Sequence, residues 1–223
     1  MSQKGRRLDF DDLASLERAV RSCTLCPLHE ARRNAVPGEG PFNADIMIVG
    51  EAPGRSEDEE GRPFVGAAGS LLNRLLAKAG LDRKTVYITN VVKCRPPGNR
   101  DPKPEEIEAC LGYLVAQIRL VKPKVIIAVG RIAGRTLYRL AGLRWTSMKG
   151  ERGRIRRIRI AGVEVLLVTT YHPAAALYNP QLKIELERDF EAKVREAVDR
   201  ARGGVGYGRR LDFYFKDPPE SRG

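Results

Sequence analysis

The sequence predicts an α/β domain, one mostly parallel sheet with helices on both faces. Two observations carry this. Short, near-continuous apolar runs, the form taken by strands buried on both faces, recur along the chain. Helical periodicity fills most of the intervals between them, as expected where strands alternate with helices around one core.

A first helix is predicted over residues 11–22, with Leu13, Leu16 and Val20 at helical spacing. The Gly/Pro-containing stretch NAVPGEGPFN separates it from a first strand, ADIMIVG. GSLLNRLLAKAGL then reads as a helix, TVYITNVV as a strand, PEEIEACLGYLVAQIRLV as a helix, KVIIAVG as a strand and RIAGRTLYRLAGL as a helix. IRRIRIAGVEVLLVTT reads as a hairpin turning at Ala161-Gly162. A long charged helix over residues 180–202 closes a single domain assigned to residues 1–202. The Gly-rich remainder, 203–223, is expected to be a flexible tail.

The 40 Lys and Arg against 28 Asp and Glu leave a net charge of +12. A surplus of that size is a general attraction to polyanions, chiefly nucleic acid. No apolar run approaches the roughly 18 to 20 residues of a membrane span, and MSQKGRRLDFDDL does not have the form of a secretory signal. The expectation is a monomeric cytoplasmic protein, associated with the nucleoid and not with a membrane. Two basic surfaces are anticipated. Arg95, Arg100 and Lys103 lie on one loop, and Arg152, Arg154, Arg156, Arg157 and Arg159 lie near the hairpin.

The four cysteines form a C-x2-C pair, Cys23 and Cys26, and a C-x15-C pair, Cys94 and Cys110. Cys94 ends a strand-like run, Cys110 falls in a predicted helix, and the loop RPPGNRDPKP joins them. Four thiols from three elements fit a tetrahedral sulfur site, either structural zinc or an iron–sulfur cluster. Spacing alone does not separate the two. His29 and His172 are the only histidines, which disfavours a His-rich catalytic metal site.

In open α/β sheets ligands sit beyond the carboxyl ends of the strands. Three such places carry polar or turn residues: the loop from Gly50, the end of the second strand at Asn90, and His172-Pro173 after the last strand. GEAPGRSEDEEGRPFVG, residues 50–66, has four glycines that allow close approach to a ligand. It lacks the Gly-Lys-Ser/Thr of a P-loop and the spacing of a dinucleotide fingerprint. Phe64 within it is either a side chain folded back onto the core or a stacking platform for a flat ring. Asn90 either ties down a neighbouring loop or reads a pyrimidine edge, because an amide donates and accepts in one plane.

GEAPG…GRPFVG, Asn90, HPAAALYNP and the cysteine pattern together resemble the family 4 uracil-DNA glycosylases, the iron–sulfur branch found in archaea and thermophilic bacteria. The resemblance covers residues 14–201. It implies the fold of those enzymes, a 4Fe–4S cluster on Cys23, Cys26, Cys94 and Cys110, and base-excision repair of uracil-containing DNA that leaves an abasic site. The pocket loop would be Gly50, Glu51, Ala52, Pro53 and Gly54, with a small residue at Ala52 where the first family of these enzymes has a water-activating Asp. Phe64 would lie under the base, Asn90 on its Watson–Crick edge, and His172 would donate to O2. Glu57 is the candidate for placing the water, and Glu51 for crowding the C5 methyl of thymine. Leu177, or its neighbour Ala176, would fill the hole left by the flipped base.

No lysine lies in residues 50–66 or 172–180, so a Schiff-base lyase step is not expected and the glycosylase would be monofunctional. Two other classes remain open from the sequence: a metal-stapled nucleic-acid-binding module without catalysis, and an Fe–S redox protein. In the tail, Leu211, Tyr214 and Phe215 resemble the box that docks on a sliding clamp, an aliphatic followed by two aromatics.

Overall fold

The computed structural model describes residues 8–203, and the tail residues Leu211, Tyr214 and Phe215 lie outside them. The elements are α1 (Leu13–Arg21), α2 (Leu28–Ala31), β1 (Ile46–Gly50), α3 (Arg55–Glu60), α4 (Ala67–Lys78), β2 (Val86–Asn90), α5 (Pro104–Val121), β3 (Val125–Val129), α6 (Arg131–Leu140), α7 (Met148–Glu151), β4 (Ile155–Ile160), β5 (Val163–Thr170), α8 (Pro173–Ala176), α9 (Pro180–Arg188) and α10 (Arg195–Ala201). The expected α/β class is the observed one.

The strand order is β2-β1-β3-β5-β4, parallel throughout except for the antiparallel edge strand β4. Alternation of side chains sorts each central strand between two cores. Met47, Val49 and Ile126 turn toward Leu16 and Val20 of α1, Leu114 of α5 and Leu137 of α6. Ile46, Ile48, Ile88 and Ile127 turn the other way, toward Leu71, Leu72 and Leu75 of α4 and Phe190, Val194 and Val198 at the end of the chain. The hairpin turns at Ala161 and Gly162, both with positive φ, 52° and 86°, as a two-residue turn of the primed type requires.

Two departures from the sequence expectation bear on the site. The loop after β1 contains a helix, α3, because Glu57 closes a capping box with the Gly54 N–H at its start. The closing helix is not continuous. Residues Asp189–Val194 form a π-helical stretch between α9 and α10, and it carries the buried Asp189 to the hydroxyl of Thr170, 2.5 Å away at the end of β5.

The register aligns Gly50 with Asn90 and Val129 with Thr170, so four strand ends open on one edge. From β1 the chain crosses to β2 on one side, then returns past β1 to β3 on the other. The place where the winding reverses is where an open sheet leaves a crevice.

Candidate functional site

That crevice holds a cavity of about 230 Å³. Its lining brings together Glu51, Ala52, Pro53, Gly54, Glu57, Phe64, Asn90 and His172, residues from three separate stretches of sequence. Gly50 stands behind it, where a Cβ would fall 2.2 Å from Asn90 Oδ1 and 2.6 Å from Phe64 Cζ, so only glycine allows both side chains their places. Leu177 is not in the wall. It lies just past α8, 37% exposed, beside Tyr178 at 92%. Ala176, by contrast, is buried in the core and is unavailable to fill a gap in DNA.

Phe64 is the most constrained residue of the wall. Its φ of 51° is unusual for a bulky side chain and costs on the order of 1–3 kcal/mol. The surroundings hold it there. Arg83 donates to the carbonyls of Pro63 and Phe64 at 2.6 and 3.1 Å while pairing with Glu39 at 2.6 Å. Gly69 of α4 lies so close that a Cβ would sit 1.8 Å from the Phe64 carbonyl oxygen. Sequence reasoning missed both Arg83 and Gly69, and it singled out Phe64 for its side chain, not its backbone.

Asn90 is 1% exposed, and its Oδ1 has no hydrogen-bond partner among the described residues. A buried amide oxygen left unpaired costs about 1–3 kcal/mol, which a ligand donor entering the cavity would recover. His172 Nδ1 accepts the Ala174 N–H at 3.1 Å, which puts the proton of the neutral ring on Nε2. Loss of water around the ring pushes its pKa down to about 4, with the Glu57 carboxylate opposing in part. The ring keeps some accessible surface, but it belongs to the cavity wall. His172 is therefore a neutral donor at pH 7.

The two acids are tied to the main chain. Glu57 accepts the N–H groups of Gly54, Val65 and Gly66 at 3.0, 2.9 and 3.0 Å. Three of its lone pairs thus hold the loop closed, and the carboxylate is a brace of that loop before it is a handle for water. Glu51 accepts the Ile132 N–H at 2.8 Å, fixing the first turn of α6, and burial pushes its pKa up against that bond. Pro96, Asn99, Arg100, Asp101 and Pro102 complete the rim.

The anticipated basic surfaces are narrower than the sequence suggested. Arg100 makes a two-pronged pair with Glu106 at 2.8 and 2.6 Å, and Arg95 donates to Asn99 at 2.7 Å. Arg152 turns to Glu185 and Asp189, and Arg156 turns to the buried Glu151 at 2.7 Å, because alternation puts it on the same face of β4 as Ile158. Arg159 pairs with Glu164 at 2.5 Å. A stripe the sequence reading missed runs along α6: Arg131, Arg135 and Arg139, four residues apart and all exposed. It lines a groove of about 590 Å³ that shares Asp101 and Pro102 with the smaller cavity and is walled by Trp145. Arg131 and Arg139 have acidic partners, the exposed Asp101 and the half-buried Glu108, whereas no ion pair among the described residues involves Arg135.

Behind the pocket, Cys23, Cys26, Cys94 and Cys110 line a single small cavity with Arg32, Lys93 and Tyr113. All four are free thiols. Arg32 Nη1 donates to Cys94 Sγ at 3.1 Å and the Lys93 N–H to Cys110 Sγ at 3.4 Å. Burial pushes the Cys110 thiol up to about 12 and also raises Cys26 and Cys94. Such sulfurs ionise only against a cationic occupant. Lys93 feels the opposite push: burial brings it down to about 7, against the pull of Cys110 and Cys94. Among the described residues no three His, Cys, Asp or Glu side chains meet at the spacing of a single metal ion. Sulfurs 2.3 Å from one zinc ion would be roughly 3.8 Å apart. Four thiols lining one small cavity are a donor set for a sulfur-bound metal group.

A mostly parallel sheet with a small, polar-edged cavity at its winding reversal defines an α/β protein with a ligand-sized crevice at its switch point. A family model described as the uracil DNA glycosylase superfamily matches residues 37–199, and the chain belongs to that superfamily. Within it, the chain is 52% identical over 189 residues to the type-4 uracil-DNA glycosylase of Pyrobaculum aerophilum, covering 85% of this chain and 96% of that protein. It is 49% identical over 182 residues to the type-4 enzyme of Archaeoglobus fulgidus, with 82% and 92% covered. The type-4 enzyme of Saccharolobus solfataricus is 49% identical over 190 residues, with 85% and 88% covered.

Proposed function

We propose that this chain is a monofunctional uracil-DNA glycosylase, hydrolysing the N-glycosidic bond of a flipped deoxyuridine and leaving an abasic site. The observation that carries the reading is the orphaned Oδ1 of Asn90, fully buried at the cavity wall beside Phe64 and His172. Uracil offers a donor at N3 and acceptors at O2 and O4. Asn90 Oδ1 takes the N3 proton while its Nδ2 faces O4, and cytosine presents the reverse pattern at those two positions. The family names of the relatives support the same substrate.

A base inside the duplex cannot reach a cavity of this depth, so the nucleotide leaves the stack. Leu177 is the side chain that takes its place, and the more exposed Tyr178 stands beside it. The base rests on Phe64. As the glycosidic bond breaks, negative charge gathers on uracil, and the Nε2–H of His172 meets it at O2. Because the ring is neutral and already oriented by Ala174, it stabilises charge as that charge develops. With Ala52 in place of a carboxylate, little push comes from a base. The bond breaks with its electron pair going to uracil, leaving an oxocarbenium sugar in the strand; water then adds to C1′ in the space bounded by Glu57, and the proton it loses neutralises the uracil anion. Glu51 crowds the position of a C5 methyl and so disfavours thymine.

The four cysteines hold a 4Fe–4S cluster, which when bound supplies a cross-link rather than a redox step. It ties the segment after α1 to the Cys94 loop and to α5. The binding surface for the DNA strand is the α6 stripe with Arg154 and Arg157. Among the described residues no helix is long and apolar enough to cross a membrane, and action on the nucleoid follows from the substrate. The tail box, Leu211, Tyr214 and Phe215, is a docking element for a sliding clamp, and a Tyr214→Ala, Phe215→Ala double variant should lose retention on the host clamp while excising uracil normally from short oligonucleotides.

The deciding experiment incubates the protein with a uracil-containing oligonucleotide and cleaves abasic sites with alkali. Strand breaks at uracil and free uracil in solution are expected. Tight binding with no uracil released would make the chain a binding module instead.

A further inference from the structure

The groove beside α6 is larger than the base cavity, about 590 Å³ against 230 Å³, and is built differently. Pro104, Ile107, Ile132, Leu143 and the ring of Trp145 give it an apolar lining, and the exposed arginines of α6 give it a basic rim. The two spaces adjoin. Asp101 and Pro102 wall both, and Ile132, in the groove, donates its N–H to Glu51 of the base cavity at 2.8 Å.

Trp145 is the only tryptophan of the chain, and it is half-buried. Its ring lies on α6 at Gly134, where a Cβ would fall 2.7 Å from Trp145 Cζ3 and 2.8 Å from Cη2, so only glycine lets the ring come this close to the helix. Tyr138 meets the same ring edge-on, with centroids 5.1 Å apart and planes at 89°. Tyr138 is itself held at its hydroxyl, which donates to Glu151 at 2.8 Å and accepts from Arg156 at 2.8 Å. The indole is thus braced from behind, and what it leaves uncovered belongs to the groove.

A phosphate backbone needs only the arginines and gains nothing from an apolar hollow beside them. A basic track with an aromatic ring set along it is the arrangement that binds single strands, because the backbone follows the charge while a base stacks on the ring. The three arginines outnumber their partners Asp101 and Glu108, which leaves the groove net positive. We infer that the groove is a second base-binding site, which takes an unpaired nucleobase neighbouring the flipped uridine in the same strand and stacks it on Trp145. The inference rests on the uracil-excision reading and deepens it. A strand whose uridine enters the base cavity passes the shared wall at Asp101 and Pro102 and so reaches the groove. Bases paired in a duplex stay stacked on one another and do not turn to the indole, so the site favours uracil in unpaired DNA.

The test uses the full-length holoprotein. With a single tryptophan, intrinsic emission reports on Trp145 alone. Uracil-free oligothymidylate should quench it in a saturable way, and a strand of the same length and charge that carries no bases should not. Trp145→Leu keeps apolar bulk and loses the flat ring; its affinity for uracil-free single strands relative to duplex should fall by about 10-fold or more, the scale of one base–aromatic stack. Trp145→Phe should recover most of that loss. On single-stranded substrates, removing the base beside the uracil on one side should lower the wild-type kcat/KM for uracil release, and Trp145→Leu should be indifferent to its removal. Equal emission with both strands, or an unchanged affinity ratio in Trp145→Leu, would overturn the inference, as for a groove that holds a peptide or a small molecule instead. Base-dependent quenching with excision indifferent to the neighbouring base would overturn the same-strand assignment. If Trp145→Leu does not fold, the wild-type emission and the missing-base substrates decide. A wild type that is quenched by bases and releases no uracil sinks the excision reading and leaves the base site standing; one that releases uracil without base-dependent quenching sinks the base site alone.

Discussion

The ring of Phe64 stacks on the imidazole of His172, with centroids 5.6 Å apart and planes inclined by 26°. The two residues come from loops 108 positions apart in sequence, yet their contact makes one continuous wall. The aromatic platform and the hydrogen-bond donor are therefore set relative to each other before any base arrives, which is what preorganised stabilisation of a leaving anion requires.

His172→Ala removes the donor and leaves the platform. The single-turnover rate of uracil release should fall by about 10² or more, the scale of losing one charge-stabilising donor. Binding to abasic product should barely change, because the donor acts on charge that exists only while the bond is breaking. An unaltered rate in rapid-quench measurements would remove His172 from the chemistry.

The same stack governs pH dependence. His172 titrates near 4 in the folded protein instead of near 6.5, since burial disfavours the imidazolium. Between those values the unfolded chain takes up a proton that the native site refuses, so this group's contribution to stability falls as pH drops from about 6.5 toward 4. The rate should show no inflection near 6.5 from this residue. Phe64→Ala would admit water to the ring and move its titration upward, giving the rate–pH profile a new acidic limb around 6. A wild-type inflection at 6.5 would contradict the neutral, desolvated histidine.

Asn90→Asp changes the donor and acceptor pattern of the reading edge at nearly constant volume. A protonated acid can present the pattern that cytosine requires, so release of cytosine from DNA should become measurable while uracil release declines. Product analysis of a cytosine-containing oligonucleotide at mildly acidic and neutral pH checks this. Undiminished rejection of cytosine would transfer the reading role to backbone groups.

Much of this arrangement was legible in the sequence because it rests on local signals. The strands announced themselves as short apolar runs, and the rule that ligands gather at strand ends led to Gly50, Asn90 and His172. The clamp on Phe64 was not legible. Arg83 and Gly69 act through tertiary contacts with the Phe64 backbone, and neither a surface-type arginine nor a helical glycine carries a periodic signal. Arg100, Arg152 and Arg156 show the converse: composition counts charges, but whether an arginine faces DNA or a carboxylate depends on which residues the fold brings opposite it. Lys93 was hidden for the same reason, since a lysine beside a cysteine reads as surface until the chain folds around it.

Cys94→Ala leaves three of the four thiols that line the cavity and would hold the proposed cluster. The protein should lose iron, sulfide and its visible colour, and its thermal stability should drop sharply, because the cross-link between the α1 region and α5 goes with the cluster. Arg32, which donates to Cys94 Sγ, would lose its partner as well. Retention of colour and of the wild-type unfolding temperature would exclude Cys94 as a ligand.

Arg135 gives the sharpest test of the path of the DNA. It lies midway along the α6 stripe, in the groove that adjoins the base cavity through Asp101 and Pro102. Arg131 and Arg139 already lean on Asp101 and Glu108, at 2.6 and 2.8 Å, so a phosphate must compete with a carboxylate at either end. Among the described residues Arg135 has no such competitor, and one phosphate contact is its expected role. Arg135→Gln should weaken binding to uracil-containing and uracil-free DNA alike, since a phosphate carries no sequence information. The slope of log K against log salt should become shallower by about 0.7 to 0.9, the release of one counterion from single- or double-stranded DNA. Single-turnover excision at saturating enzyme should stay at the wild-type rate, because the residue touches neither the base nor the sugar. Fluorescence anisotropy across a salt series measures the slope, and a slope equal to that of the wild type would place the strand elsewhere on the surface.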